Sequence, residues 1–419
     1  MFDQSFCEAS IIRVLRKSDF IKSPGLRDED TKNRAIADAI ARSRGGFSGV
    51  TFLEQSMLRG KAVYSIPDFP DELVLRKINK NIRKCIRIRE PNRDSIICNL
   101  RNLLSEGVTY RIYRLDIRSF YESFTTQNVI QETSKIPGLS PNTKKFTSEI
   151  LTHYSSNGGL GIPRGLALSA TLSELMMRSF DDEIKAHPEV FFYSRYVDDI
   201  IILTSKNENE SDLLKLINRS LPSGLTLNTQ KTTYCETTNV VKPYKPGQPS
   251  TRILSLEFLG YKLIVSEPEK TTEKSQFRDV HLDIADSKVK KLKTKATRAV
   301  ISYCKNRDFE LLLCRLKFLA SNFSVLDADR ERKRLAGIFY NYHRVDPYKS
   351  ESLRHLDQYI KRIALSGHGK VFDDFYSKTT DAQRRQILRI SFSQGFLEKT
   401  FLNYSHQKLK QVQECWSYV

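Results

Sequence analysis

The 419-residue chain lacks much that would mark a specialised class. It has one tryptophan, 18 glycines and 14 prolines, too few for a collagen-like or broadly disordered chain. No apolar run approaches the roughly 20 residues that a bilayer-crossing helix needs. The opening residues, MFDQSFCEAS, show no basic stretch leading into an apolar one. A secretory leader is therefore not expected, and a cytoplasmic location is. Seven cysteines form no CxxC pair and share no metal-ligand spacing with histidine. That pattern points to reduced thiols rather than a disulfide frame or a zinc site. There is no repeat of fixed period and no long low-complexity tract. Acidic residues are also in deficit: 49 Asp and Glu face 68 Lys and Arg, a net charge of +19. The surplus favours a polyanionic partner, nucleic acid ahead of an anionic membrane surface. It is silent on the chemistry.

The chain is long enough for two or three domains with buried cores. The first 45 residues read as polar helices, with Ile11, Ile12, Val14 and Leu15 on one stripe. Residues 71–104 alternate basic and apolar side chains. Cys85–Ile88 is expected as a strand, Glu90-Pro91-Asn92 as a break and the following residues as a helix. On that strand Arg83, Arg87 and Arg89 would share a face. Residues 111–124 begin as a strand, and 145–185 are helical around a glycine-rich loop at 157–165. Residues 190–203 (VFFYSRYVDDIIIL) read as a hairpin, and short strands surround a Lys-Pro-rich loop at 242–249. From Asp286 onward the pattern is helical, which suggests a boundary within 265–285.

Three carboxylates stand out. Asp116 closes an apolar run, and Asp198-Asp199 interrupts two others. An Asp-Asp pair is ordinarily a solvated turn, but these flanks are too apolar for an exposed hairpin. Buried acids without a counter-charge are costly, and hard divalent cations take such oxygen ligands together with substrate phosphates. A strand-end aspartate beside a hairpin tip suits two ions about 4 Å apart. One would activate an attacking hydroxyl, and the other would neutralise the leaving pyrophosphate.

Around these acids the sequence resembles the reverse transcriptases. Tyr196-Val197-Asp198-Asp199 is similar to their YxDD box, motif C, and RLDIRSFYESF (114–124) to motif A. GLGIPRGLALSATLSELMM (159–177) resembles motif B, LTLNTQKTTY (225–234) motif D and LEFLGYKL (256–263) motif E. The five stand in family order and cover roughly residues 75–265. The resemblance implies an α+β right-hand polymerase. Residues 1–110 would be N-terminal helices and fingers, and 111–270 the palm with interleaved fingers elements. Residues 271–419 would form an all-helical thumb and C-terminal extension.

Residue roles follow from the same matches. Asp116, Asp198 and Asp199 would be the metal carboxylates, for two Mg²⁺ ions or Mn²⁺, with Asp199 secondary. Lys231 would be the general acid for pyrophosphate departure. Tyr121, beside Phe120, matches the aromatic that walls the sugar pocket against a 2′-hydroxyl. Gly161, Pro163 and Gly165 would shape the loop facing the nucleotide. Arg164 stands where the family usually has glutamine, and an arginine there offers a bidentate phosphate contact. Arg83 and Arg87 fall where the fingers hold triphosphate. Lys288, Lys291, Lys295 and Arg298 come close to one face of a helix following motif E, placed to track a nucleic-acid backbone. Apart from the matches, Tyr340, Tyr342 and His343 could stack on bases, with buried packing the stronger expectation.

Departures from the family narrow the reading. The chain shows no cysteine-bearing nuclease segment, no NAxxH or VTG element of retron enzymes and no RNase H acid cluster. The motif B wording resembles the bacterial abortive-infection and defence-associated reverse transcriptases, including two-polymerase systems. That implies antiviral defence, a noncoding RNA as template or scaffold, dNTPs as substrates, and a DNA product or RNA–DNA hybrid. It also allows protein priming and a second reverse transcriptase or another copy as partner, with no membrane. Two other readings use the same residues: a template-independent nucleotidyl transferase on the same palm, and a catalytically idle RNA-binding scaffold.

Overall fold

The computed structural model describes residues 2–47, 51–58, 60–88, 92–237, 242–243, 251–270, 276–327 and 332–416. They form two compact units, residues 1–100 with 109–238, and residues 101–108 with 239–419. Motif E counts with the second unit.

The first unit opens with helices α1 (Glu8–Ile12), α2 (Lys17–Lys22) and α3 (Glu29–Gly45), followed by the hairpin β1 (Glu54–Leu58) and β2 (Lys61–Ser65). Helix α4 (Phe69–Ile86) follows, where a strand at 85–88 was expected. Asp68 caps its N-terminus, Pro70 stands in its first turn, and Leu73, Val74, Ile78, Ile82 and Ile86 bury one stripe. An apolar stripe at helical spacing outweighs the short β-like run at its end. Arg83 therefore lies in the last helical turn, and Arg87 is the left-handed C-cap, so the two do not share a strand face. Arg89 lies outside the described residues. Helix α5 (Arg93–Leu104) comes next, as expected.

The centre of this unit is a sheet in the order β4-β5-β3-β6. It is built from β3 (Tyr110–Asp116), β4 (Val190–Tyr196), β5 (Asp199–Ser205) and β6 (Thr233–Glu236), all antiparallel to their neighbours. Its inner strand β5 carries the apolar run expected of a strand covered on both faces: Ile200, Ile201, Ile202 and Leu203 are fully buried. Helices α6 (Thr126–Ser134), α7 (Pro141–Ser156), α8 (Ala167–Lys185) and α9 (Glu210–Ser220) complete the unit. Helix α8 packs against α4, α6, α9 and β4.

The second unit contains β7 (Lys242–Pro243), β8 (Arg252–Phe258), β9 (Tyr261–Lys270) and β10 (Gln276–Ile284) in one sheet. Most of the Lys-Pro-rich loop lies outside the described residues. Buried Arg278 stitches residues 101–108 to β10, donating from Nε to the Glu106 carbonyl (3.1 Å) and from Nη2 to that of Val108 (3.1 Å). Helices α10 (Asp286–Asn306) and α11 (Phe309–Ala320) follow. The tail is not purely helical. A hairpin, β11 (Asn322–Asp327) with β12 (Arg332–Gly337), precedes α12 (Glu351–Leu365), α13 (Lys370–Ser377), α14 (Asp381–Leu388), α15 (Phe392–Leu397) and α16 (His406–Gln413). Buried Asn322 anchors it, its side-chain amide donating to the Thr400 carbonyl (3.1 Å) and accepting from Phe339 N (2.9 Å). Tyr342 packs edge-on against Tyr261. No described helix is long and apolar enough to cross a membrane.

Candidate active site

The three acids come together through strand register. Asp116, the last residue of β3, is the cross-strand partner of Asp199, the first residue of β5. Asp198 sits in the two-residue turn between β4 and β5, whose closing pair is Tyr196 and Asp199. The turn is strained: Val197 has φ +61, a left-handed conformation that costs a β-branched residue about 1–2 kcal/mol. Two tethers hold it. Ile117 N donates to the Asp198 carbonyl (3.2 Å), and Arg195 Nη1 donates to that of Val197 (3.1 Å).

Asp116 is buried and already carries polar partners. Lys231 Nζ lies 3.1 and 3.3 Å from its two carboxylate oxygens, and Asn228 Nδ2 donates to Oδ2 at 3.1 Å. The loop after α9 is fixed to the same strand end, because Asn228 N donates to the Asp116 carbonyl at 2.7 Å. Burial raises the Asp198 carboxyl above the ordinary range, and the charge of Asp116 adds to that. Burial and the neighbouring Asp198 raise Asp199 likewise. One buried and two half-buried carboxylates that repel one another call for a cation. Lys231 on Asp116, Arg164 toward Asp198 and Arg114 toward Asp199 offset part of that repulsion, and both turn carboxyls still stay raised. Among the described residues no three His, Cys, Asp or Glu side chains form a ready-made metal cage. The donor set fits hard divalent ions held by two carboxylates and completed by substrate phosphate oxygens.

Beside the acids, the motif B loop is fastened to motif A. Ile162 N donates to the Tyr121 carbonyl (2.9 Å), and Gly161, at φ +73, has no room for a side chain: a Cβ would stand 2.2 Å from that same oxygen. Gly165, at φ +107, faces the backbone of Tyr64, and Tyr64 N donates to the Arg164 carbonyl at 2.7 Å. The loop therefore rests on the β1–β2 hairpin on one side and motif A on the other. Tyr121 is half-buried with its ring 5.0 Å from the Arg164 guanidinium. Arg164 Nε and Nη2 bind the Glu122 carboxylate at 2.8 and 2.9 Å. The bidentate edge expected to hold phosphate is thus already engaged, which leaves Nη1 for a ligand. Phe120 is buried between Tyr121 and Phe124, so it backs the Tyr121 ring.

Arg83 is half-buried and Arg87 exposed. In the second unit α10 forms as expected, with Lys288 exposed and Lys291, Lys295 and Arg298 half-buried. The Lys295 ammonium lies 5.2 Å above the Trp416 ring, whose indole N–H binds the Lys295 carbonyl. Lys290 is exposed beside Lys288. Asn228, Glu122 and Arg195 were not singled out from sequence. A charged residue inside the apolar run FFYSRY was the available signal for Arg195.

Residues 72–263 match the family model described as Reverse transcriptase (RNA-dependent DNA polymerase). No curated protein matches the chain. Among solved structures, an apo telomerase from Candida tropicalis truncated from its C-terminal domain is 17% identical, with a TM-score of 0.30 over 50% of this chain and 45% of that one. Telomerase from Candida albicans, in complex with a TWJ fragment of telomeric RNA, is 10% identical, with a TM-score of 0.34 over 83% of this chain and 61% of that one. The chain thus spans about half to three-fifths of the length of these telomerases. The α+β architecture is that of a right-hand polymerase, and residues 72–263 are similar to the reverse transcriptases, a family of RNA-directed DNA polymerases.

Proposed function

We propose that the protein is an RNA-directed DNA polymerase that joins dNTPs by two-metal nucleotidyl transfer, working on a noncoding RNA in bacterial antiphage defence. One observation carries the chemistry: β3–β5 register pairs Asp116 with Asp199 and leaves Asp198 in the strained turn beside them. Asp116 and Asp198 would hold Mg²⁺, with Asp199 secondary. Bound there, the ions would activate the primer hydroxyl and neutralise charge on pyrophosphate. Lys231, 3.1 Å from Asp116, stands within a side-chain swing of any phosphate bound at that carboxylate and is the proton donor of this reading. Tyr121 would exclude the ribose 2′-hydroxyl, its ring braced by Phe120 and Arg164. The net charge of +19 supports a nucleic-acid partner, and the exposed lysines of α10 support contact with template–product backbone. The defence role rests on the IPRGLALSATLSE wording of motif B.

The decisive experiment purifies the protein with its bound nucleic acid, supplies dNTPs and Mg²⁺, and sequences both RNA and product. DNA complementary to a co-purified RNA is the expected result. Product made from a single dNTP without complementarity would instead identify a template-independent transferase, and absence of product would leave the scaffold reading. Tyr121→Ala should admit ribonucleotides at least tenfold better relative to dNTPs, and an unchanged ratio would place sugar selection elsewhere.

A further inference from the structure

We propose that Arg195 is the positioning residue of the acidic turn, fixing the Val197–Asp198 backbone, and with it the Asp198 carboxylate, to helix α8. The inference rests on the polymerase reading for the reaction that this geometry serves.

Arg195 is the penultimate residue of β4 and its side chain is 3% exposed. Its guanidinium has five N–H groups, and each has an acceptor. Nε donates to Asp181 Oδ1 (2.8 Å), and Nη2 to Asp181 Oδ2 (2.8 Å) and Glu174 Oε2 (2.8 Å). Nη1 donates to Glu174 Oε1 (3.0 Å) and to the Val197 carbonyl (3.1 Å). Glu174 and Asp181 lie two turns apart on α8, the helix that the motif B loop leads into. Four bonds therefore fix the guanidinium to α8, and the fifth reaches the turn.

Two features make this more than packing. A single arginine between two carboxylates leaves the cluster one negative charge in excess, and well-packed apolar side chains would commonly serve stability as well or better. The fifth bond also falls on Val197, the residue at φ +61. A two-residue hairpin turn with positive φ at its first central residue ordinarily has glycine there. A valine stays in that conformation only where its surroundings over-determine it. The Arg195 bond to the Val197 carbonyl and the Ile117 bond to the Asp198 carbonyl are those surroundings. The chain thus sets the direction of the Asp198 side chain through two peptide groups, one tied to α8 and one to the segment after β3. Lysine cannot substitute, because three donors on a point charge cannot match two bidentate carboxylates and a carbonyl.

The test uses Mn²⁺ as the probe, titrated into the full chain and followed by the electron paramagnetic resonance of free ion, with Asp198→Asn identifying the site. Arg195→Lys should weaken Mn²⁺ at that site at least fivefold and raise the Mg²⁺ concentration needed for half-maximal incorporation by a similar factor. A second variant, Arg195→Met with Glu174→Gln and Asp181→Asn, removes the charges together. It should melt within a few degrees of wild type yet keep the Mn²⁺ defect. Wild-type Mn²⁺ affinity in that folded variant would overturn the proposal, and if it does not fold, wild-type affinity in Arg195→Lys would do so. A wild-type protein that binds Mn²⁺ at this site and makes no DNA would refute the polymerase reading, and the affinities would still judge Arg195.

Discussion

Two hairpins, one in each compact unit, have turns of the same length and different solutions. The first closes on Tyr196 and Asp199 around Val197-Asp198, the second on Phe258 and Tyr261 around Leu259-Gly260. Each places a branched aliphatic residue in the left-handed region, Val197 at φ +61 and Leu259 at φ +47. The second hairpin follows with Gly260 at φ +84, which gives the two positive φ values of a tight hairpin turn and makes the second of them nearly free. The first has a carboxylate in that place and no glycine; its two turn carbonyls accept from Arg195 and Ile117, and in the second hairpin the Gly260 carbonyl accepts from Ala285 N (3.1 Å). Both turns therefore hold a strained residue beside a tethered carbonyl, and they differ in the second position, a carboxylate in one and a glycine in the other.

The largest effect expected from breaking this contrast is chemical. Asp198→Ala or Asp116→Ala should lower nucleotide incorporation by about 10³–10⁵, a loss of about 4–7 kcal/mol of transition-state stabilisation, while thermal melting and RNA binding stay near wild type. Retention of more than a tenth of the activity in Mg²⁺ would remove these residues from the metal site. In the second hairpin the expected effect is on stability alone. Gly260→Val should destabilise the fold by about 1–2 kcal/mol, because a β-branched residue would then occupy φ +84, and an unchanged denaturation midpoint would contradict that.

Single lysines of the two units offer a second contrast. Lys231 is committed to Asp116, whereas Lys288 and Lys290 of α10 are exposed. Lys288→Gln with Lys290→Gln should reduce the slope of log affinity for a primer–template duplex against log salt by up to about two units. A slope equal to wild type would mean that this part of α10 faces only solvent.

The meeting of the acids was legible in sequence because an Asp-Asp pair ahead of an apolar run such as Ile200–Leu203 is unusual for a solvated turn, and the hairpin around them because two β-rich runs flank one polar pair. The strand expected at Cys85–Ile88 was misread. Its four residues look β-like alone, and only the stripe from Leu73 to Ile86 shows that they end a helix. The β11–β12 hairpin escaped notice because its strands, NFSVLD and RKRLAG, are short and the second is basic rather than apolar. Arg164 was read as a phosphate ligand from its residue type. Its engagement by Glu122 depends on a loop folding back across 42 residues, which no local pattern reveals. Arg195 was passed over for a similar reason, since its partners lie 14 and 21 residues away on another element.

The smallest effects come from replacing the strained residues themselves by glycine. At φ +47 Leu259→Gly removes a left-handed leucine, which should gain about 1–2 kcal/mol, and gives back about 0.5–1 kcal/mol through the greater freedom of glycine in the unfolded chain. The net should be a stabilisation of up to about 1 kcal/mol, read as a higher denaturation midpoint. Val197→Gly relieves comparable strain but also removes a side chain packed against the main core of the first unit, so its gain should be smaller or absent. Its effect should appear in catalysis, because a glycine turn no longer fixes Asp198 even with the Arg195 bond intact. Incorporation should fall several-fold and recover in part at higher Mg²⁺. If Val197→Gly stabilised the protein as much as Leu259→Gly and left the Mg²⁺ dependence unchanged, the two turns would be equivalent, and the strain at Val197 would serve nothing beyond closing a hairpin.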